Sequence, residues 1–169
     1  DTKIKKIWPK DVPLIDKIDK YIKKYSKEKI VIKCGGRILL DPYLFNNFID
    51  DVAILKKLGL TPIVVHGGGP RIKKKLSELN IETKFIMGLR ITDKKVIKVV
   101  EEVMLEFNKE IVAALQKKEC KAKSITVKEN ISIYVQQKNK ELGYVGMPTK
   151  IDDELIKSFI KENSIPVIS

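Results

Sequence analysis

Three short stretches carry residue types that could handle a negatively charged group. Lys33 ends an apolar run, KIVIK, and is followed by Cys34, Gly35 and Gly36. Ile63, Val64 and Val65 lead to His66, then three consecutive glycines (Gly67, Gly68, Gly69) and Pro70. Arg90 follows Gly88 in IETKFIMGLRI, between apolar neighbours. A strand running through glycines into a helix is an anion-binding layout. Glycine lets the backbone come close to a ligand, and the helix behind it offers unpaired N–H groups and the positive end of its dipole. Pro70 suits the first helical position, where its missing N–H would be unpaired anyway. A lysine beside such a turn suits stabilisation of a phosphoryl group in transfer. A guanidinium grips a carboxylate through two parallel hydrogen bonds, which makes Arg90 a candidate clamp. Cys34 reads as a small buried hydrophobe, and His66 as a structural hydrogen-bonder in preference to a base or ligand.

Other chemistries fit less well. Neither GxxxxGK[ST] nor GxGxxG occurs, so a P-loop and the usual dinucleotide site are unsupported. His-Gly-Gly-Gly is also an oxyanion-hole motif of lipases and esterases. That reading needs a GxSxG elbow, which is missing, and a triad histidine, whereas the single histidine lies inside the glycine motif. Cys34 and Cys120 are too few and too far apart for a disulfide framework or a zinc site, and no residue is assigned to a metal. The net charge of +12 invites a nucleic-acid reading, but 31 lysines stand against three arginines and aromatics are 7%. Base readout and stacking favour arginine and aromatics, so the charge reads as a solvated surface, with no nucleic-acid partner. No apolar run approaches the ~20 residues of a membrane span, and no signal-peptide core is present. A cytoplasmic protein without a membrane partner is expected, or one in an organellar stroma if a transit peptide has been removed.

The elements that position these residues follow from periodicity. The 169 residues suffice for one domain with a core, or for one lobe of something larger. Residues 1–26 read as an arm (1–12) and an amphipathic helix (13–25), which either packs on its own domain or, with Trp8, forms an oligomer contact. Residues 27–169 form the main unit. Strand 29–33, a helix capped by Asp41 and stopped by Gly59, strand 62–66 and a helix to Leu79 give β-α-β-α, hence a parallel sheet. Both glycine turns then fall at the carboxyl ends of strands, where ligands of such sheets collect. Residues 81–91 read as a short strand or loop, and Thr92 or Asp93 caps a long helix through Leu115. Residues 122–127 and 131–135 alternate and suggest a hairpin through 128–130. A short strand at 143–147, a helix capped by Asp152 and a buried strand from Pro166 complete the reading. The expected fold is α/β, a three-layer αβα sandwich around a mainly parallel sheet.

In this order and spacing, IVIKCGG, PIVVHGGGPRI, MGLRITD, NKEIV, ELGYVG and IPVIS resemble the N-acetylglutamate kinases of the amino-acid kinase family, over about 14–169. The resemblance implies transfer of the ATP γ-phosphoryl group, with Mg2+, to the γ-carboxylate of N-acetyl-L-glutamate in arginine biosynthesis. It implies that Lys33 stabilises the phosphoryl group, that Gly35, Gly36, Gly67 and Gly68 offer backbone N–H groups, and that Arg90 holds the substrate's α-carboxylate. It also implies a homo-oligomer, either a dimer or a hexamer joined through the N-terminal helix, and arginine as feedback inhibitor. Members of the family continue into a nucleotide-binding lobe with an Asn-x-Asn-Ala-Asp motif and a second catalytic lysine. The expectation is therefore a fold truncated before that lobe, which binds most of the ATP and Mg2+, and a fragment inactive alone. Arg37 stands where the family often carries asparagine, and residues 124–130 replace a loop usually containing glycine. The alternative is a non-catalytic small-anion-binding or oligomerisation module of the same fold.

Overall fold

The computed structural model describes residues 18–169. In chain order its elements are α1 (Ile18–Tyr25), β1 (Lys29–Cys34), α2 (Pro42–Lys57), β2 (Thr61–His66), α3 (Gly69–Glu78), β3 (Phe85–Ile86), β4 (Leu89–Arg90), α4 (Lys94–Lys117), β5 (Ala122–Ile125), β6 (Ile133–Gln137), β7 (Gly146–Ile151), α5 (Asp153–Lys161) and β8 (Ile165–Ile168). Of the expected N-terminal helix, α1 covers the second half. The arm, Trp8 and residues 13–17 lie outside the described residues.

Helices α2, α4 and α5 begin where an aspartate side chain caps them. Asp41 Oδ1 accepts from the N–H groups of Tyr43 and Leu44 at 2.9 and 3.2 Å. Asp93, not Thr92, caps α4 through Lys95 and Val96. Asp152 accepts from Leu155 at the start of α5. Each satisfies donors that the first helical turn leaves unpaired.

Strands β1, β2, β8 and β5 form, in that order, a sheet in which every pair is parallel. The expected three layers are present. On one face, Phe48, Ile49 and Val52 of α2 and Phe107, Ile111 and Leu115 of α4 pack on Cys34, Val64, Ala122, Ile165 and Val167. On the other, Phe159 of α5 packs on Ile63, Ile125 and Ile168. Helix α3 joins the first layer by burying Ile72 and Leu76 against Val96, Val99 and Val103 of α4. No helix among the described residues is long and apolar enough to cross a membrane.

One expected pairing is replaced by another. β5 and β6 do not form a hairpin: β5 is an edge strand of the four-stranded sheet, parallel to β8, and β6 pairs antiparallel with β7. The cause lies in burial and in the intervening turn. Ala122, Ser124 and Ile125 are buried, whereas all of β6 is exposed, so the two cannot share a layer. Thr126 Oγ1 accepts from the N–H groups of Lys128 and Glu129, and Asn130 Nδ2 donates to the Ser124 carbonyl. Asn130, with φ +56°, then turns the chain away. The strand expected at 143–147 starts at Gly146 and runs to Ile151 as the partner of β6.

Candidate functional site

The carboxyl ends of β1 and β2 lie side by side, with Lys33 opposite Val65 and Cys34 opposite His66. Beyond them, the Gly67 N–H donates to the Cys34 carbonyl at 3.1 Å, so the two glycine turns leave the sheet at one point. Gly36 has φ +61°, a conformation that side chains disfavour, and starts a 3-10 turn through Leu39. Gly68 caps α3 for a different reason: a Cβ there would stand 2.5 Å from Met104 Sδ and 3.1 Å from Ile72 Cδ1. A Cβ at Gly35, Gly67 or Gly69 would meet nothing within 4 Å, so these backbones face open space. The N–H groups of Gly68 and Gly69 find no backbone acceptor among the described residues. With the α3 dipole behind them, these donors make a candidate cradle for an anion.

Alternation along β1 sends Cys34 to the α2–α4 side, where it is wholly buried, and Lys33 to the opposite, exposed side. Lys33 makes no ion pair among the described residues, so its ammonium is available beside the cradle. Burial pushes the Cys34 thiol up to about 11, opposed in part by Arg71, so it is a protonated core group.

His66 is buried at 4% exposure between the sheet and α4. Its Nδ1 lies 3.1 Å from the Gly67 carbonyl, its Nε2 lies 3.1 Å from Asn108 Nδ2, and its ring meets Phe107 edge-on at 5.0 Å. Burial holds its pKa below the usual histidine range; the Gly67 contact opposes this and the Arg71 charge adds to it. His66 is therefore the hydrogen-bonder its sequence position suggests. Asn108, which sequence reasoning missed, donates through Nδ2 to the Val167 carbonyl at 3.0 Å and is fully buried. The available signal was an asparagine directly after Phe107 in the middle of an otherwise apolar helical stripe.

Arg90 is not brought into this cluster. It lies on the β3–β4 ribbon, donates to Thr83 Oγ1 at 2.7 Å and lies over the Phe85 ring at 4.8 Å. With Lys73, Asn80, Glu82 and Thr83 it lines a polar cavity of about 490 Å³ against α3. The cradle and Arg90 thus flank the same helix without touching. Arg71, on the first turn of α3, is paired with Glu110 at 2.7 Å and stacks over Phe107 at 4.1 Å.

The family model for the amino acid kinase family matches residues 28–169. The chain is 57% identical over 163 residues to an acetylglutamate kinase of Pelagibacter ubique, covering 96% of this chain and 57% of that protein. An acetylglutamate kinase of Petrotoga mobilis is 41% identical over 152 residues, covering 88% and 51%. Among solved structures, N-acetylglutamate synthase from Neisseria gonorrhoeae, complexed with coenzyme A and N-acetyl-glutamate, matches with a TM-score of 0.75 over 90% of this chain and 36% of that one. At 17% identity this is a likeness of fold alone. The chain spans 57% and 51% of the lengths of the two kinases it matches.

Proposed function

The chain belongs to the amino acid kinase family, and from that premise we propose that residues 27–169 are the N-acetyl-L-glutamate-binding lobe of an acetylglutamate kinase. The reaction is transfer of the ATP γ-phosphoryl group to the γ-carboxylate of N-acetyl-L-glutamate. The observation that carries this reading is the Gly67 N–H to Cys34 carbonyl bond, which gathers both glycine turns beside Lys33. The 57% identity to a kinase of that name supports the choice of substrate.

A carboxylate is ionised at neutral pH and attacks phosphorus without a base. As its oxygen bonds to phosphorus, the bond to the ADP oxygen breaks and ADP leaves with the electron pair. In this reading Lys33 and the N–H groups of Gly35, Gly36 and Gly68 meet the charge spread over the phosphoryl oxygens, whereas the Gly67 N–H, expected to join them, is taken by the Cys34 carbonyl. Removing one such preorganised donor typically slows catalysis by about 10²–10³. Arg90 holds the α-carboxylate, so that substrate spans from the ribbon to the cradle. Among the described residues no group of three or more His, Cys, Asp or Glu converges to hold a metal ion, so the Mg2+ accompanying ATP is assigned to no residue here. ATP itself is assigned mainly to the share of the relatives' length that this chain does not span. For the whole protein the same reading carries a homo-oligomer, either a dimer or a hexamer joined through the N-terminal helix, and arginine as feedback inhibitor.

Calorimetric titration of the 169-residue chain with N-acetyl-L-glutamate tests the assignment, with glutamate and aspartate as controls. Selective binding abolished by Arg90→Ala is expected. Equal binding of aspartate, or unchanged binding in Arg90→Ala, would overturn it.

A further inference from the structure

We propose that His66 and Asn108 are positioning residues of the anion cradle: together they orient the peptide between Gly67 and Gly68 so that its N–H is presented to the bound phosphoryl oxygen. The inference rests on the reading of the glycine turns as a phosphoryl cradle.

The relay begins at an atom that can only accept. The Val167 carbonyl faces Asn108 at 3.0 Å, so the atom opposite it is the amide nitrogen and not the amide oxygen. That same nitrogen lies 3.1 Å from His66 Nε2. Its second N–H needs an acceptor there, which an Nε2–H would not provide. Nε2 is therefore bare, and the proton of the neutral ring sits on Nδ1. Nδ1–H then donates to the Gly67 carbonyl, 3.1 Å away. In a trans peptide the carbonyl and the following N–H point in opposite directions. With the Gly67 carbonyl held against the imidazole, the Gly68 N–H is directed away from it, and it meets no acceptor among the described residues.

The relay also joins strand ends. Gly67 is bonded back to Cys34 of β1, His66 closes β2, and Asn108 reaches Val167 of β8. Asn108 achieves this from a fully buried site in which its own Oδ1 has no partner among the described residues. A buried, unsatisfied amide oxygen is a burden on stability, so packing alone does not account for an asparagine at this position.

The single histidine makes the tautomer directly readable from imidazole 15N shifts of the labelled 169-residue chain. A protonated Nδ1 and a bare Nε2 are expected at neutral pH; a protonated Nε2 would overturn the proposal. Titration with inorganic phosphate, followed through the backbone amides, supplies the second readout. The Gly68 amide is expected to move in the native chain. If neither Gly68 nor Gly69 responds, the cradle reading itself fails. Two variants isolate the positioning role. His66→Asn keeps an N–H near the Nδ1 position, while His66→Gln reaches only the Nε2 position. Phosphate affinity is expected to survive in His66→Asn and to fall about tenfold in His66→Gln, the size of one lost hydrogen bond to a charged group. Asn108→Leu, which releases the ring, is expected to match His66→Gln. Native-like phosphate binding in folded His66→Gln and Asn108→Leu would overturn the inference and leave the cradle intact.

Discussion

At the carboxyl ends of β1, β2 and β8 the backbone is tied across three strands and a helix, by the Gly67–Cys34 bond and the His66–Asn108–Val167 relay. The two antiparallel ribbons are held differently. Every residue of β6 and β7 is exposed, and the β3–β4 turn places Met87 at 99% exposure. Two-stranded ribbons without a covered face are marginal on their own, and local stability varies across a fold with buried contacts. The contrast suits a division of labour. A transferred phosphoryl group needs donors fixed before it arrives, which the sheet ends provide. In the proposed function, a substrate that must enter and leave is held from a ribbon in which β3 is exposed and Arg90 half-buried.

The largest expected effect lies under the rigid region. Phe107 is fully buried and meets Phe45 at 5.9 Å, His66 at 5.0 Å and the Arg71 guanidinium at 4.1 Å. Phe107→Ala should cost about 3–5 kcal/mol in denaturant unfolding. A chain that lost little would show that the floor of the cradle is not the stable region supposed here.

The two cations should separate kinetically in the complete enzyme. Lys33→Ala, beside the cradle, is expected to lower kcat by about 10²–10³ with little change in KM. Arg90→Ala is expected to raise the KM for N-acetyl-L-glutamate and leave kcat nearly unchanged. Equal losses of kcat in both variants would erase the distinction between floor and ribbon.

How much of this division can be read from sequence depends on how far each interaction reaches. The caps at Asp41 and Asp93 bond residues two and three positions away, and both were legible. So were the glycine turns, because a strand, a glycine run and an amphipathic helix are consecutive. The partner of β5 was not legible, since alternation shows which side chains share a face but not which strand lies alongside. Asn108 escaped for the same reason: its partners, His66 and Val167, are 42 and 59 residues away. Nor could sequence show that Arg90 is tethered to Thr83 and Phe85, lining a cavity against α3 apart from the glycine turns.

A smaller effect should appear with pH. His66 is neutral and its pKa lies below the usual range, chiefly through burial; the Arg71 charge adds to this, and the Cys34 thiol is uncharged until about pH 11. The unfolded histidine takes up its proton near pH ~6.5, before the folded one does. Stability is then fully present above that pH and falls as pH drops toward the folded pKa, by at most about 1.4 kcal/mol per pH unit for one proton. Unfolding between about pH 6.5 and 5, above most carboxylate titrations, should show this slope. His66→Asn should flatten it; an unchanged slope would assign the effect to other groups.

The smallest effect belongs to the β6–β7 ribbon. A Cβ at Gly146 would stand 2.7 and 2.8 Å from Cγ2 and Cβ of Val135 across the ribbon. Because Cβ itself is one of the two atoms, rotation of the valine side chain cannot relieve the contact, and Gly146→Ala must push the strands apart. Val135 is 58% exposed, so removing its methyl groups leaves no cavity. Val135→Ala alone should therefore change global stability by no more than about 0.5 kcal/mol. In Gly146→Ala, amide exchange should quicken from Ile133 to Ile151 while β1, β2 and β8 keep their protection. Adding Val135→Ala should only partly restore the ribbon, since the alanine Cβ remains. Loss of protection at β2 in Gly146→Ala would mean that ribbon and floor open together, and that the separation between them is one of exposure but not of stability.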